Sequence, residues 1–460
     1  MSAQSRLLLT YYGDDFTGST DSTEVLEWAG VPSVLFLEPP TLDLIHARFP
    51  HVQAVGLAGV SRSMTPPQMD AVLPELFSAL KALGAPTFHY KICSTFDSAP
   101  TLGSIGHATE IAMNIFGAQM VPMIVGAPFL KRYVAFSNLF ARVDDTTYRL
   151  DRHPTMRCHP ATPMHEADLR LHLAEQTTHR IGSINVLHLA EAPDALWAYF
   201  DGLRQQGIEI VIFDTIDDAH LLAVGDLLDR VITRRADAGT ALLVGSSGVE
   251  KALVLRWQAS GRLTQPPPPA PPGAVDQLIV VSGSAAPATA AQLDWAEAHG
   301  FAMERLDSVR LVDPATADVE RAAVITRALE RLSTGQSLIL YSARGPDDPQ
   351  IGHTKTHLGA LGIDPQSVGS RLGTQQGLIL RALLERTGLR RAIVTGGDTC
   401  GYAARQLGIY ALRTILPVAP GAPLCLAYAD DAAFDGLEIS LKAGQVGKLD
   451  YFGSILKGSQ

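Results

Sequence analysis

The stretch RLLLTYYGDDFTGSTD, Arg6 to Asp21, decides how the rest of the chain is read. Leu7, Leu8 and Leu9 with Thr10 to Tyr12 make a short apolar and aromatic run, which predicts a buried strand. The run stops at Gly13, Asp14 and Asp15 follow, and Thr17-Gly18-Ser19-Thr20-Asp21 leads into the apolar positions Val25, Leu26 and Ala29. The pattern is strand, acidic turn, helix. In an open α/β sheet the turn after a strand's carboxyl end is where ligands sit, and the helix behind it offers free N–H groups. An Asp at such a turn also serves as an N-cap, so one member of the pair has a purely local use.

The same pattern recurs along the chain. Strands are expected at Val34–Leu37, Val52–Ala58, Thr87–Ile92 and Met120–Val125, with a helix from Pro66-Pro67 carrying Met69, Val72, Leu73, Leu76 and Leu80 at helical spacing. After an irregular stretch rich in His, Pro and Arg (Arg149 to Pro163), strands are expected at Ile184–Leu189, Ile210–Phe213 and Ala241–Val244. His153, His159 and His165 lack metal-ligand spacing and read as ordinary loop histidines. Gln265 to Gly273, QPPPPAPPG, can form neither helix nor central strand and reads as an extended linker. It separates residues 1–264 from 274–460. Beyond it, strands are expected at Leu278–Val281, Ser337–Tyr341, Arg391–Val394 and Leu437–Leu441, and helices around Ala291–Ala296, over Leu378–Leu384 and from Thr399 towards Gly408. The fold class is α/β, with two lobes, each a mainly parallel sheet flanked by helices, facing one another across a cleft.

Composition narrows the functions. The 460 residues are 46% hydrophobic and 18% charged, and 37 Lys plus Arg against 47 Asp plus Glu give a net charge of -10 without a basic run. Nucleic-acid binding, which rests on clustered cations, is not expected. The first 30 residues carry no h-region and no apolar run reaches the ~18 residues of a membrane span, so neither export nor a membrane is expected. Cys93, Cys158, Cys400 and Cys425 are scattered, which favours a reducing, cytoplasmic setting and small packed side chains over a disulfide framework.

Small-residue turns follow three strands of the second lobe. Glycine lets backbone N–H groups approach a phosphate, and a following helix adds a favourable dipole. Thr395 to Thr399 has this character, with Asp398 available to hold Mg²⁺ or a water and Thr399 to donate a hydroxyl; Ser282-Gly283-Ser284 and Gly444 to Gly447 resemble it. Neither G-x-x-x-x-G-K-S/T nor G-x-G-x-x-G occurs, which disfavours a P-loop ATPase and a standard Rossmann dehydrogenase. In the first lobe Asp14, Asp15, Ser61, Arg62, Lys91, Ser94 and Thr95 all fall at expected strand ends. Cations and hydroxyls suit a carboxylate and a polyol, and an Asp suits proton abstraction from an alcohol.

Gly13-Asp14-Asp15-Phe16-Thr17-Gly18 with Asp21, Ser61-Arg62, His159-Pro160 with Thr162-Pro163-Met164, Phe213-Asp214-Thr215, Gly245-Ser246-Ser247-Gly248, Ser282-Gly283-Ser284, Thr395 to Thr399 and Lys442 to Gly447 resemble, in order, the signature blocks of the four-carbon acid sugar kinase family. The resemblance spans nearly the whole chain. It implies an N-terminal domain that binds a sugar acid, a C-terminal domain that binds ATP with Mg²⁺, and phosphorylation of threonate, erythronate or a 3-oxo-tetronate type of acid. By position, Asp14, Arg62, Lys91, Cys93, Ser94 and Thr95 would line the acid pocket, with Asp15 or Asp14 as catalytic base. Ser282, Gly283, Ser284, Gly396, Gly397, Asp398, Thr399, Gly444, Gln445 and Gly447 would hold the nucleotide. The metal ligands are left unassigned, and a homodimer is compatible with the pattern. One departure stands out: where the family has Asp-Ser-Thr-x-Arg-Gly, this chain has Cys93-Ser94-Thr95-Phe96-Asp97-Ser98. Loss of an arginine that could grip a carboxylate suggests a differently shaped acid, branched or oxo-substituted, such as a 3-oxo-isoapionate. The rival class is a non-catalytic sugar-acid-binding or sensor protein, against which the nucleotide-type turns and missing export signal weigh.

Overall fold

The computed structural model describes residues 7–143, 145–159, 161–235 and 239–459. Arg6 and Pro160, quoted above, lie outside the described residues, as does the side chain of Asp398. Contacts divide the chain into two compact units, Met1–Pro267 and Pro268–Gln460.

The first unit carries strands β1 (Leu9–Gly13), β2 (Ser33–Phe36), β3 (Ala54–Ala58), β4 (Thr87–Lys91), β5 (Val121–Ile124), β6 (Arg132–Ala135), β7 (Asn138–Val143), β8 (Thr146–Arg149), β9 (Ile181–Ile184), β10 (Ile210–Phe213) and β11 (Ala241–Gly245). Its main sheet runs β2-β3-β1-β4-β11-β5-β10-β9, and every pair is parallel. Helices cover both faces, which is why β1, β4 and β11 are buried at every residue rather than alternately. The helix Pro66–Ala82 shows how the sequence writes such a cover. Pro66 opens it without wasting an N–H, Thr65 N–H donates to Gln68 Oε1 at 2.8 Å, and Met69, Leu73, Phe77 and Leu80 turn one face inward. Phe77 meets Tyr12 and Phe88 edge-on, with ring centroids 5.3 and 5.2 Å apart.

In this unit two elements differ from expectation. Ile184–Leu189 does not continue as a strand: β9 ends at Ile184, and the Asn185 side chain accepts N–H bonds from Leu187 and His188, which starts a helical turn over Val186–Leu189. The stretch before the histidine-rich loop holds an antiparallel sheet, β6-β7-β8, with Phe136 and Ser137 in left-handed backbone at the β6–β7 turn. Asp214, buried at the end of β10, fastens both features, since its carboxylate accepts N–H bonds from Phe136 (2.6 Å), Ser137 (2.8 Å) and Val186 (3.0 Å). Two of the loop histidines are structural: His153 Nδ1 accepts from Thr155 and Met156 N–H, and His159 Nδ1 from Thr162 N–H.

The second unit carries β12 (Ile279–Ser282), β13 (Ala302–Arg305), β14 (Leu338–Tyr341), β15 (Arg391–Thr395), β16 (Ile409–Ala419), β17 (Ala422–Ala429) and β18 (Glu438–Lys442). Its order is β13-β14-β12-β15-β18-β17-β16, parallel as far as β18 and antiparallel across β18-β17-β16. Val280, Ile339, Ile393 and Leu424 form the floor of a core closed by Leu293 and Phe452. Arg391, 1% exposed, is stitched across it. Its Nε donates to Glu438 Oε2 at 2.6 Å, and Nη1 donates to the carbonyls of Gly273 (2.9 Å) and Ile455 (3.0 Å). Arg391→Met leaves these acceptors unmet and should lower the stability of this unit by about 3 kcal/mol. Urea denaturation of the full chain measures this, and Arg391→Lys should restore less than half, because one ammonium cannot span the same forked set.

Candidate functional site

In the first unit the register aligns Ala58, Gly13, Lys91 and Gly245 in one row across the carboxyl ends of β3, β1, β4 and β11. The chain reverses its direction of sheet growth at β1, with β3 on one side and β4 on the other, and such a point is where open α/β sheets receive ligands. The turns beyond the row are laced together: Asp14 N–H donates to Lys91 O (2.9 Å), Arg62 N–H to Asp14 O (3.0 Å) and Gly59 N–H to Gly13 O (2.9 Å).

Asp14 and Asp15 play different parts. Asp15 caps the helix Phe16–Glu27, accepting from Gly18 N–H (2.9 Å) and the Thr17 hydroxyl (2.8 Å). Asp14 is 2% exposed and is held by Arg62 through two bonds, Nε to Oδ2 at 3.2 Å and Nη2 to Oδ1 at 2.8 Å. Nη2 also reaches Asp15 Oδ1 at 2.8 Å, so one guanidinium grips both carboxylates. Lys91, 2% exposed, stands on the other side, for a Cβ built on Gly18 would lie 2.6 Å from its Nζ and 2.4 Å from Asp15 Oδ1. Burial works to raise the Asp15 carboxyl, but Arg62, Lys91, the Thr17 hydroxyl and Gly18 N–H outweigh it and hold Asp15 below the ordinary value. At Asp14 burial wins over Arg62, aided by the Asp15 charge, and pushes the carboxyl up. Burial also pushes Asp21 up, one turn along the same helix, against the pull of Lys91.

The turn after β4 brings Cys93 and Thr95 to this cluster and adds Asp97, which the sequence reading quoted but did not place among the site residues. Thr95 donates to Asp97 Oδ1 at 2.7 Å, and Cys93 Sγ lies 2.9 Å from Thr95 Oγ1. Since the Thr95 hydrogen is spent on Asp97, the thiol is the donor. Burial and then the Asp97 charge push Cys93 up to about 11, which keeps it protonated and unsuited to nucleophilic chemistry. Ser94 is half-buried and makes no side-chain hydrogen bond among the described residues. Cys158 is exposed rather than packed, whereas Cys400 and Cys425 are buried.

In the second unit Ser282, Thr395 and Lys442 share a row at the ends of β12, β15 and β18, so the three small-residue turns emerge side by side. They touch. Gly283 N–H donates to Thr395 O and Gly396 N–H to Lys442 O, both at 2.9 Å. A Cβ on Gly283 would fall 2.1 Å from Thr399 Oγ1, and one on Gly444 would fall 2.4 Å from Ser284 Oγ. Glycine is thus demanded there by the closeness of the turns themselves, whereas a Cβ on Gly397, at the start of the helix Gly397–Gln406, would meet open space. Gln292 holds the last turn by donating to the carbonyls of Val446, Gly447 and Lys448; Gln445 is exposed beside them. Ser282 Oγ and Thr395 Oγ1 are buried without a hydrogen-bond partner among the described residues. Lys442, part of a quoted block but not singled out from sequence, is fully buried and donates to Ala443 O (3.0 Å), Val446 O (3.1 Å) and Thr289 Oγ1 (3.3 Å).

These two rows of strand ends fall inside two domain types. The chain belongs to the four-carbon acid sugar kinase family, its residues 9–253 matching the sugar-binding N-terminal domain and residues 279–452 the nucleotide-binding C-terminal domain. It is 45% identical to a 3-oxo-isoapionate kinase of Paraburkholderia graminis over 98% of this chain and 94% of that one. It is 28% identical to a 3-oxo-tetronate kinase of Pseudomonas savastanoi pv. phaseolicola over 98% of this chain and 97% of the relative. A solved Salmonella typhimurium LT2 protein, 24% identical, superposes with a TM-score of 0.76 over 99% of this chain and 100% of that one, a likeness of fold. No helix of the described residues is long and apolar enough to cross a membrane.

The Lys442 loop gives a pH signature. Burial lowers its ammonium from 10.5 to about 8, so charging it costs folding free energy. That cost is present in full below about pH 8 and fades as the folded-state lysine loses its proton ahead of the unfolded one, so stability rises between about pH 8 and 10.5. The unfolding free energy of the wild type should gain about 2 kcal/mol on Lys442→Met between pH 7 and 10, read from paired urea curves. A constant difference across that range would show that the amine titrates normally.

Proposed function

We propose that the protein is an ATP-dependent kinase that transfers the γ-phosphoryl group to a hydroxyl of a small sugar acid, with 3-oxo-isoapionate as its substrate, in the cytoplasm. The observation that carries this reading is 45% identity, sustained over 98% of the chain, to a protein named for that activity. The chemistry of the two rows supports it. In the first domain a carboxylate pair, a guanidinium, an ammonium and hydroxyl groups suit a polyhydroxy acid. In the second, backbone N–H groups and hydroxyls at three adjacent turns suit phosphates.

Asp15 is our candidate for the base. It is the more exposed of the pair, with 24% of its side chain open against 2% for Asp14, and it stays ionised near neutral pH because Arg62 and Lys91 offset its burial. As the acceptor oxygen bonds to phosphorus and the bond to ADP breaks, the hydroxyl proton passes to Asp15 and then to water. A loose phosphoryl-transfer transition state needs little basicity, so a carboxylate with a depressed pKa suffices. Asp14, clamped by Arg62, orients that guanidinium. The turns at Gly283, Gly396, Gly397 and Gly444 to Gly447 form the nucleotide cradle; since the N–H groups of Gly283 and Gly396 are spent on Thr395 O and Lys442 O, its donors are the first N–H groups of the helix Gly397–Gln406 and the Thr399 hydroxyl. Oxygen groups of this kind suit Mg²⁺, which is commonly held by substrate phosphates, waters and one or two protein oxygens; among the described residues no three His, Cys, Asp or Glu are grouped to cage it. Bound with the nucleotide, such an ion would supply charge neutralisation on the transferring group.

Asp15→Asn should cut turnover by about 10²–10⁴-fold while ATP still raises the melting temperature as it does for wild type. Loss of the ATP response would mean that Asp15 is structural. Coupled ADP release over 3-oxo-isoapionate, 3-oxo-tetronate, threonate and erythronate should favour the first. Equal efficiency on threonate or erythronate would remove the substrate assignment.

A further inference from the structure

The turn Cys93 to Ser98 is built more firmly than a connector needs. Phe96 sits in left-handed backbone, φ 59°, a conformation that bulky side chains resist. It is held there by full burial, by its edge-on contact with His172 at 5.7 Å, and by the Ser98 hydroxyl, which donates to Phe96 O at 2.9 Å. Ser98 is fixed in turn by His172 Nε2 at 3.0 Å and by the Gln176 amide at 2.9 Å. Backbone strain persists where surroundings over-determine it, and it clusters at binding sites. Here it aims Asp97.

Asp97 arrives with its two oxygens unequally used. Oδ1 accepts from Thr95, whose oxygen is itself met by the Cys93 thiol, so this side is already engaged within the turn. Oδ2 faces Arg62 Nη1 at 4.0 Å, too far for a hydrogen bond. Nη1 is the terminal nitrogen of Arg62 that makes no hydrogen bond to Asp14 or Asp15, and it faces Asp97. An acceptor and a donor thus stand 4.0 Å apart on the wall of the acidic cluster. A hydroxyl beside them, about 2.8 Å from each, would donate to Oδ2 and accept from Nη1. A substrate carboxylate would gain from Nη1 and be repelled by Oδ2. The pair is shaped for an alcohol.

We propose that Asp97 is a specificity-determining residue of the first domain, its Oδ2 acting with Arg62 Nη1 to take the extra hydroxyl of a hydroxymethyl-branched sugar acid. This rests on the sugar-acid kinase reading and deepens it. A linear four-carbon acid has no group to place there and leaves the Asp97 oxygen unmatched, a penalty that discriminates more sharply than shape alone.

The test compares 3-oxo-isoapionate with 3-oxo-tetronate on wild type, Asp97→Ala and Asp97→Asn, by kcat/KM and, without nucleotide, by calorimetric titration of each acid. Asp97→Ala should lower kcat/KM and affinity for the branched acid by about 10- to 100-fold, mainly through KM, and change the linear acid by less than about threefold. Asp97→Asn, which keeps the size and one acceptor, should fall between them, and it decides the matter if the alanine variant does not fold. Equal losses on both acids would reduce Asp97 to a support for Arg62, and an unchanged ratio in Asp97→Asn would overturn the proposal outright. Wild type that binds the branched acid but transfers no phosphoryl group would sink the kinase reading and leave the Asp97 comparison readable by titration. Wild type that binds neither acid would sink both.

Discussion

Two carboxylates placed side by side at the end of a buried strand lose hydration and repel each other, and either effect alone would discourage the turn. Arg62 makes the arrangement tenable. Its guanidinium supplies two bonds to Asp14 and one to Asp15, from a turn 47 residues away in sequence, while the backbone of the same residue donates to Asp14 O. Side-chain and main-chain bonds from one residue therefore tie the turn after β3 to the turn after β1. The rest of the cluster is arranged around that tie: Lys91 supplies a second positive charge next to Asp15, and Asp97 faces the remaining end of the guanidinium at 4.0 Å. The planar fork matters, because a lysine at position 62 could not hold both carboxylates in fixed orientation.

The second domain solves a different problem with the same scaffold. The one cation in its row of strand ends, Lys442, is turned inward onto carbonyls and the Thr289 hydroxyl. Among the described residues, the rest of the row and its turns offers backbone and hydroxyl. A polyanion received there would meet dipoles and would owe little to fixed positive charge, in contrast to the charged first domain.

Much of this was legible in the sequence because the signals were local. The apolar run before Gly13-Asp14-Asp15, the Pro66 helix start and the glycine turns each depend on a few neighbouring residues. The family resemblance added order to blocks that singly meant little. What escaped needed information from elsewhere in the chain. Ile184–Leu189 is apolar enough for a strand, and the outcome was set by the capping power of Asn185. The β6–β8 sheet and the long β16–β17 hairpin lie where the alternation is weak, and each is fixed by its pairing. The pairing of Arg62 with Asp14 has no periodicity to betray it. Asp97 was visible as a departure from a pattern, yet its aim depends on the left-handed backbone at Phe96, which no propensity would assign to a phenylalanine.

Asp214 has a consequence of its own. A single carboxylate receives N–H groups from the β6–β7 turn and from the helical turn after β9, segments some fifty residues apart in sequence. Neither can loosen without stripping bonds from an anion already withdrawn from water. The small appended sheet is therefore energetically an extension of the large one, and it should open or close together with the far edge of the domain rather than flap as an independent ornament.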